Sequence, residues 1–156
     1  MAESDKNNEE WYADGLHFTC TQCGNCCTGP SGYVWFHYDE LKAMAEYVGE
    51  LPHEFLRKYA RELEGRWTLD EIEREHGYDC VFLKTDEQSG KRYCGIYPVR
   101  PQQCRTWPFW PDNLRSRRSW RSASQICPGM TAGNEGEGEF YPVEDIRILR
   151  DATPLM

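Results

Sequence analysis

The stretch CTQCGNCC, residues 20–27, places four thiols within eight positions of the chain. Gly24 lies inside this stretch and Gly29 just beyond it, which indicates a loop that turns tightly. Thiolates at two-residue spacing can turn around one metal ion or cluster, and distant cysteines then complete its coordination. We therefore expect a metal-binding loop with the rest of the fold gathered around it.

Four more cysteines are scattered along the chain, and we take all eight as candidate metal ligands: Cys20, Cys23, Cys26, Cys27, Cys80, Cys94, Cys104 and Cys127. A nucleophilic cysteine would need a base, but the four histidines form no recognised signature with the cysteines. A CxxC redox pair follows a strand in a βαβ pattern, which is absent here. Metal binding is the use that accounts for the whole set.

Length and composition favour one small domain. The chain has 156 residues with 39% apolar residues, so a core is possible but modest and a metal would supplement it. The net charge of −8 argues against general attraction to nucleic acid or to an anionic membrane. The start MAESDKNNEEW has no secretory pattern, and no apolar run is long enough to span a membrane. We expect a cytoplasmic protein, where thiols stay reduced.

The predicted fold is α+β, with a few helices and a short hairpin around the metal. Residues 1–13 are expected to form a flexible acidic tail, and residues 14–156 the cysteine-cluster domain. The run Tyr33–Phe36 predicts a strand. Helical spacing predicts a helix over Asp39–Val48, stopped by Gly49, and another from Pro52 to Leu63.

Further along, Leu69–Glu75 predicts a short third helix. The runs Cys80–Leu83 and Arg92–Tyr97, joined by a polar turn, predict a hairpin. Several prolines predict irregular structure over residues 98–113. A terminal helix is expected over Val143–Arg150.

The spacing alone leaves the metal open. Zinc takes four ligands, and eight thiols divide into two such sites. An iron–sulfur cluster also takes four thiolates, and Cys20, Cys23 and Cys26 match the start of the bacterial ferredoxin run, although Cys27 has no counterpart there. We favour a cluster of the [4Fe-4S] type over zinc.

Aromatic residues lie among the basic residues over residues 91–127, a pattern that can bind single-stranded nucleic acid. A thiolate-rich centre, however, also needs nearby guanidinium groups to offset its negative charge. Arg100 and Arg105 flank Cys104 most closely. We therefore expect these two arginines to support the metal centre and rank nucleic acid below it.

The ordered cysteine motifs carry a family resemblance. CxxCxxCC at residues 20–27 is followed by CVFL at 80–83, CGIYPVRP at 94–101, CRTWPF at 104–109 and CPG at 127–129. In this order they resemble the YkgJ-type cysteine-cluster proteins, zinc- or iron-chelating domains, over roughly residues 16–133. The flagellin lysine N-methylases are similar over the same motifs. The resemblance implies metal binding by these cysteines and no particular reaction.

These observations leave three functional hypotheses. The first is an iron–sulfur protein with a redox or methyl-transfer-related role. The second is a zinc-stabilised module that binds a partner protein without catalysis, and the third is a nucleic-acid-binding zinc module. Metal ions are the partners common to all three, and no membrane contact is expected.

Overall fold

The computed structural model describes residues 10–29 and 31–154, and it has the mixed α+β fold expected from the sequence. The helices are α1 Tyr38–Val48, α2 Pro52–Tyr59, α3 Gln102–Thr106, α4 Pro111–Leu114, α5 Arg117–Ser124, α6 Pro128–Asn134 and α7 Val143–Ala152. The strands are β1 Leu16–His17, β2 Thr28–Gly29, β3 Trp35–Phe36, β4 Ala60–Leu63, β5 Arg66–Leu69, β6 Glu71–Arg74, β7 Gly77–Cys80, β8 Leu83–Thr85, β9 Arg92–Cys94 and β10 Phe140–Tyr141. None of the helices in the described ranges has the length and apolarity that crossing a membrane requires.

The strands pair in small antiparallel sheets. Strand β1 pairs with β10, and β8 pairs with β9 as a hairpin. The two larger sheets have the orders β2-β7-β6 and β3-β5-β4. By their contacts, the described residues form two compact units: those up to Thr21 with Pro108–Ala152, and Gln22–Trp107 with the residues from Thr153 onward.

The second unit has an apolar core beneath the hairpin. Helix α1 ends at Gly49, whose φ of 77° suits a residue without a side chain. Phe55 of α2 is fully buried and stacks on Phe82, with ring centroids 5.7 Å apart. Ile96, just after β9, is 1% exposed in the same cluster. The hairpin is thereby fixed against the helices, which matters because Cys94 ends its second strand and Cys80 lies three residues before its first strand.

The first unit has an aromatic core. Phe109 stacks on Trp120 with ring centroids 5.8 Å apart and meets Phe18 edge-on at 6.1 Å. Helix α6 approaches β1 closely because Gly133 lacks a side chain. A Cβ atom at Gly133 would lie only 1.9 Å from the carbonyl oxygen of His17.

Residues 10–13 belong to this first unit, although the sequence placed them in a flexible tail. Tyr12 is 4% exposed. Glu10 accepts hydrogen bonds from Arg147 at 2.7 Å and from Arg150 at 3.2 Å, both on α7. The packed part of the chain therefore includes Glu10, while residues 1–9 of the expected tail lie outside the described residues.

Several predicted elements are confirmed. Helix α1, the start of α2 and the terminal helix α7 occur where the sequence places them. The predicted hairpin is present, but its first strand is Leu83–Thr85 rather than Cys80–Leu83, and its second strand ends at Cys94 rather than at Tyr97. The predicted strand over Tyr33–Phe36 is present over its second half, as β3.

Other predicted elements are wrong. Leu63 lies in strand β4 instead of continuing α2, and Leu69–Glu75 is mainly extended rather than helical. Glu71–Arg74 pairs with Gly77–Cys80, so cross-strand pairing outweighs the helix-forming tendency of its charged residues. Residues 98–113 contain α3 and α4, since proline is tolerated at the first turn of a helix, where Pro111 begins α4.

Candidate metal centre

The eight candidate cysteines are free thiols and are divided between the two units. Cys20 and Cys127 belong to the first unit. Cys23, Cys26, Cys27, Cys80, Cys94 and Cys104 belong to the second unit. The second unit is therefore the one that gathers most of the donors.

Three of these sulfurs interact directly. The thiol of Cys27 donates hydrogen bonds to the sulfurs of Cys26 and Cys94, and this raises the pKa of Cys27 strongly. The same hydrogen bonds lower the pKa of Cys26 and bring that of Cys94 to about 7. One S–H group is thus shared between two sulfurs that favour the thiolate form.

Cys80 and Cys104 complete a group of five sulfurs. Burial is the main cause that raises the pKa of the Cys80 thiol to about 11, and the negative charges at Cys94 and Cys26 contribute to the rise. Burial also raises the pKa of Cys104 well above its ordinary value, with added contributions from Cys80, Cys26 and Cys94. We call these five residues, Cys26, Cys27, Cys80, Cys94 and Cys104, the cysteine centre.

The register of the short strands explains this convergence. Thr28 pairs with Asp79 across β2 and β7, so Cys27 and Cys80 adjoin the same rung. The Thr28 hydroxyl reinforces that rung by donating to Asp79 Oδ1 at 2.6 Å. In the hairpin, Leu83 pairs with Cys94.

The loop that carries Cys26 and Cys27 is itself held in place. It forms a 3₁₀ turn over Asn25–Cys27, preceded by Gly24 with a φ of 78°. A Cβ atom at Gly24 would lie 2.9 Å from Leu83 Cδ1, so the turn lies close to the hairpin, and the positive φ itself favours glycine at this position. Arg92 of β9 donates to Asn25 Oδ1 at 2.5 Å and joins the turn to the hairpin.

Helix α3 brings the fifth sulfur. Cys104 lies between Gln103 and Arg105 on this five-residue helix. Gln103 is 1% exposed, accepts a hydrogen bond from the Trp35 amide at 3.0 Å and donates to the Tyr33 carbonyl at 2.7 Å. This polar clamp fixes α3 to β3 and thereby fixes the position of Cys104.

A repeated backbone arrangement stabilises the sulfurs. The amide of Asn25 donates to Cys23 Sγ at 3.4 Å. The amides of Phe82 and Ile96 donate in the same way to Cys80 and Cys94, and each lowers the pKa of its thiol. In all three cases the donor lies two residues after the cysteine. Such N–H···S bonds favour the thiolate, which is the form that binds metals.

The two expected supporting arginines have different surroundings. The charge of Arg100 lowers the pKa values of Cys26 and Cys94, and its guanidinium lies 3.7 Å from the centroid of the Tyr97 ring. Its Nε donates to the Tyr97 carbonyl at 3.0 Å. Arg105 is exposed and donates to Gln102 Oε1 at 2.8 Å. The charge of Arg100 therefore acts on the cysteine centre, whereas the hydrogen bond of Arg105 goes to Gln102, outside that centre.

Comparison with known proteins identifies the family of this chain. Residues 19–128 match the CxxCxxCC family, described as a "putative zinc- or iron-chelating domain". The chain belongs to this family. It is also 34% identical over 98 residues to the uncharacterized protein MJ0661 of Methanocaldococcus jannaschii, covering 63% of this chain and 48% of that protein. The chain thus spans about half the length of this relative. No solved structure shows significant similarity to it.

The family description names zinc or iron chelation, and the donors in this member fit that description. Thiolate sulfur is a preferred ligand both of zinc and of the iron atoms in iron–sulfur clusters. Within the described ranges, no group of three or more His, Cys, Asp or Glu side chains is placed so that it could hold a metal ion as the side chains stand. The hydrogen bonds of Cys27 link three of the five sulfurs, those of Cys26, Cys27 and Cys94.

The two cysteines of the first unit have other surroundings. Cys127 is 8% exposed and immediately precedes α6. Cys20 is exposed, and its charge adds to the burial that raises the pKa of Tyr141. The sequence indicated Gly24 as a turn residue of the cysteine loop, and the structure confirms its left-handed backbone. Sequence reasoning missed the positioning contacts of Arg92 and Gln103, which no motif signals.

Proposed function

We propose that this protein binds an iron–sulfur cluster through its clustered cysteines. The observation that carries the proposal is the double hydrogen bond from Cys27 to Cys26 and Cys94, because it joins sulfurs from the CxxCxxCC loop and the hairpin. Cys80 and Cys104 add two more sulfurs to the same neighbourhood.

The number of sulfurs favours a polynuclear centre. A single zinc ion in a structural site takes four ligands, whereas the cysteine centre contains five thiols. The adjacent pair Cys26 and Cys27 would strain one mononuclear site, since their Cα atoms are only about 3.8 Å apart. Different irons of one cluster, or two separate sites, can use both. Cys20, Cys23 and Cys127 are proposed as further ligands.

The protein's own groups would tune such a centre. Arg100 offsets the negative charge of the thiolates, and the amides of Phe82 and Ile96 hydrogen-bond to two of them. Both effects favour the reduced, more negative state of a cluster. When bound, an iron–sulfur cluster supplies one-electron transfer. We accordingly propose a redox role, in the cytoplasm, where the thiols remain reduced.

A metal and sulfide analysis tests the proposal. Protein purified without oxygen should be brown and contain iron and acid-labile sulfide. Cys94→Ser should lose most of the iron, because the sulfur of Cys94 accepts a hydrogen bond from the thiol of Cys27 and lies in the cysteine centre. The matched control is Ser122→Ala, an exposed change in the first unit, which should retain the iron. Colourless protein with stoichiometric zinc would instead favour the zinc-stabilised partner-binding module, and protein with neither metal would contradict both.

A further inference from the structure

A pocket of about 550 Å³ lies in the first unit, apart from the cysteine centre's own residues. Its lining residues are Trp11, Gly15, Leu16, His17, Arg117, Trp120, Arg121, Gly133, Asn134 and Gly136. The volume falls within the range of small-molecule sites, about 300–1,000 Å³. Neither the metal-binding motifs nor the family description accounts for it.

The charge of the lining is positive. Arg117 and Arg121 contribute two guanidinium groups, and the lining contains no aspartate or glutamate. Four acidic residues adjoin lining residues in the chain but are not part of the lining: Glu10, Asp14, Glu135 and Glu137. Of these, Glu10 is paired with Arg147 and Arg150, and the other three are exposed. In a protein of net charge −8, such a lining selects for an anion.

Both arginines retain donors for a ligand. Arg117 uses Nη2 to donate to the Trp11 carbonyl at 3.2 Å, which leaves most of its five N–H groups available. Arg121 is exposed and makes no ion pair with any residue in the described ranges. Arg147 and Arg150 of the same unit, in contrast, are paired with Glu10. The charges of Arg117 and Arg121 are therefore less neutralised by carboxylates than those of Arg147 and Arg150.

The remaining wall is aromatic and held in place. Trp11 and Trp120 lie with ring centroids 5.9 Å apart and planes inclined at 59°. The indole N–H of Trp11 donates to the Leu114 carbonyl at 2.6 Å, and that of Trp120 donates to Asn134 Oδ1 at 2.9 Å. Both indoles are thus fixed before any ligand arrives, which lowers the entropic cost of binding.

We propose that this pocket binds a small organic anion that carries a planar aromatic or heteroaromatic ring. The anionic group bonds to Arg117 and Arg121, and the ring packs against the partly exposed indole of Trp11. Nucleoside phosphates and aromatic carboxylates share this chemistry. The net charge of −8 favours such a ligand over a single-stranded nucleic acid, which binds along an extended basic groove.

The test uses the full-length protein labelled with ¹⁵N and three probes: adenosine monophosphate, benzoate and inorganic phosphate. The indole N–H signals of Trp11 and Trp120 should shift with adenosine monophosphate, with benzoate or with both. The probe that binds more tightly shows whether the ligand is a nucleoside phosphate or an aromatic carboxylate. The indole signals of Trp35 and Trp67, in the other unit, serve as internal references. Phosphate alone should bind more weakly than the better organic probe.

Variants separate the pocket from general attraction to a basic helix. Arg117→Gln and Arg121→Gln should each weaken binding about tenfold or more, the usual effect of losing a charge-assisted hydrogen bond. The matched control is Arg118→Gln, which removes the same charge from the same helix but is exposed and not part of the lining. Arg118→Gln should change the affinity by less than about threefold. Arg121→Lys should retain part of the affinity that Arg121→Gln loses.

Three results would overturn the proposal. One is no indole shift with any probe at millimolar concentration in protein whose circular dichroism is intact. Another is an equal loss of affinity in Arg118→Gln and Arg121→Gln. The third is that a single-stranded oligonucleotide binds more tightly than either organic probe and that all three arginine variants weaken its binding equally. These outcomes are read at Trp11 and Trp120, and the pocket lining contains none of the eight candidate metal ligands.

Discussion

The thiol of Cys27 donates a hydrogen bond to the sulfur of Cys94, and this contact joins the cysteine loop to the end of strand β9. Cys27 also donates to its chain neighbour Cys26, so its one proton is shared by two acceptors. A bound metal displaces such a proton, since a coordinating thiol is deprotonated. Cys27 is therefore the sulfur whose loss should disturb the centre most.

Single serine substitutions of Cys26 and Cys27 test whether Cys27 matters more to the centre than Cys26 does. We expect Cys27→Ser to lose more metal than Cys26→Ser, because Cys27 contacts two sulfurs and adjoins the Thr28–Asp79 rung, whereas Cys26 is exposed. Iron, zinc and sulfide per chain, with the absorption spectrum, measure the difference. Equal metal content and identical spectra in the two variants would count against separate roles for the pair.

Arg100 should matter more to the metal centre than Arg105 does. Arg100→Gln removes a positive charge that acts on Cys26 and Cys94, and we expect metal retention to fall about tenfold or more. If a cluster is bound, its reduction potential should also fall, because reduction adds negative charge. Arg105→Gln is the matched control, since Arg105 is exposed and bonded to Gln102. Competition with a chelator and a redox titration give the two readouts, and an equal effect of both variants would contradict this assignment.

The sequence predicted the donors better than their grouping. The CxxCxxCC loop and the following motifs identified eight candidate ligands, but neither the five-sulfur cysteine centre nor the division between units could be found from spacing. The register of two-residue strands sets that grouping, and β2 has only Thr28 and Gly29 to signal it. Such short strands carry almost no periodicity.

Helices were predictable where an apolar stripe and a stop signal coincided. Helix α1 has both, since Leu41 and Met44 are buried and Gly49 ends it. Helix α5 was not predicted because its sequence, RRSWRSAS, has few apolar residues. Its start is set by Ser116, whose side chain accepts a hydrogen bond from the Ser119 amide at 3.1 Å. Tertiary packing of Trp120, which is 3% exposed, supplies the rest of its stability.

Gly133 should not tolerate a side chain. Gly133→Ala would place a methyl group 1.9 Å from the His17 carbonyl oxygen, so α6 and β1 must separate, and we expect a loss of roughly 1–3 kcal/mol in the free energy of unfolding. Gly32→Ala is the control, because a Cβ atom there meets nothing within 4 Å and its φ is not in the left-handed region. Urea unfolding of both variants measures the difference, and equal stability of the two would refute the close packing.

Metal removal should unfold much of the second unit. The cysteine centre draws on the 3₁₀ turn 25–27, strands β7 and β9 and helix α3, so a bound metal cross-links segments that are distant in the chain. Structural zinc contributes about 10 kcal/mol or more in small peptides, which is comparable with the stability of a domain. Circular dichroism melting before chelation, after it and after metal is restored tests this. Unchanged melting in protein shown to be metal-free would contradict it.

Glu10 should stabilise the first unit in a pH-dependent way. The hydrogen bond from Arg147 is the main reason that the pKa of Glu10 falls from an ordinary 4.5 to about 2. Because the folded-state pKa is the lower one, the contribution is complete above the unfolded value and is lost as the pH falls from about 4.5 to 2. Its size should be on the order of 1 kcal/mol, since Arg147 remains partly exposed to solvent.

Glu10→Gln tests this relationship directly. The variant should be less stable than the parent at neutral pH, and the difference should vanish as the pH approaches 2, because the parent then also carries an uncharged side chain. Protonation of the cysteines affects both proteins alike and cancels in the difference. Glu137→Gln, an exposed change of the same charge in the same unit, should show no such difference in stability. A Glu10→Gln effect that is constant from pH 7 to 2 would show that packing, not the ion pair with Arg147, accounts for the contribution of Glu10.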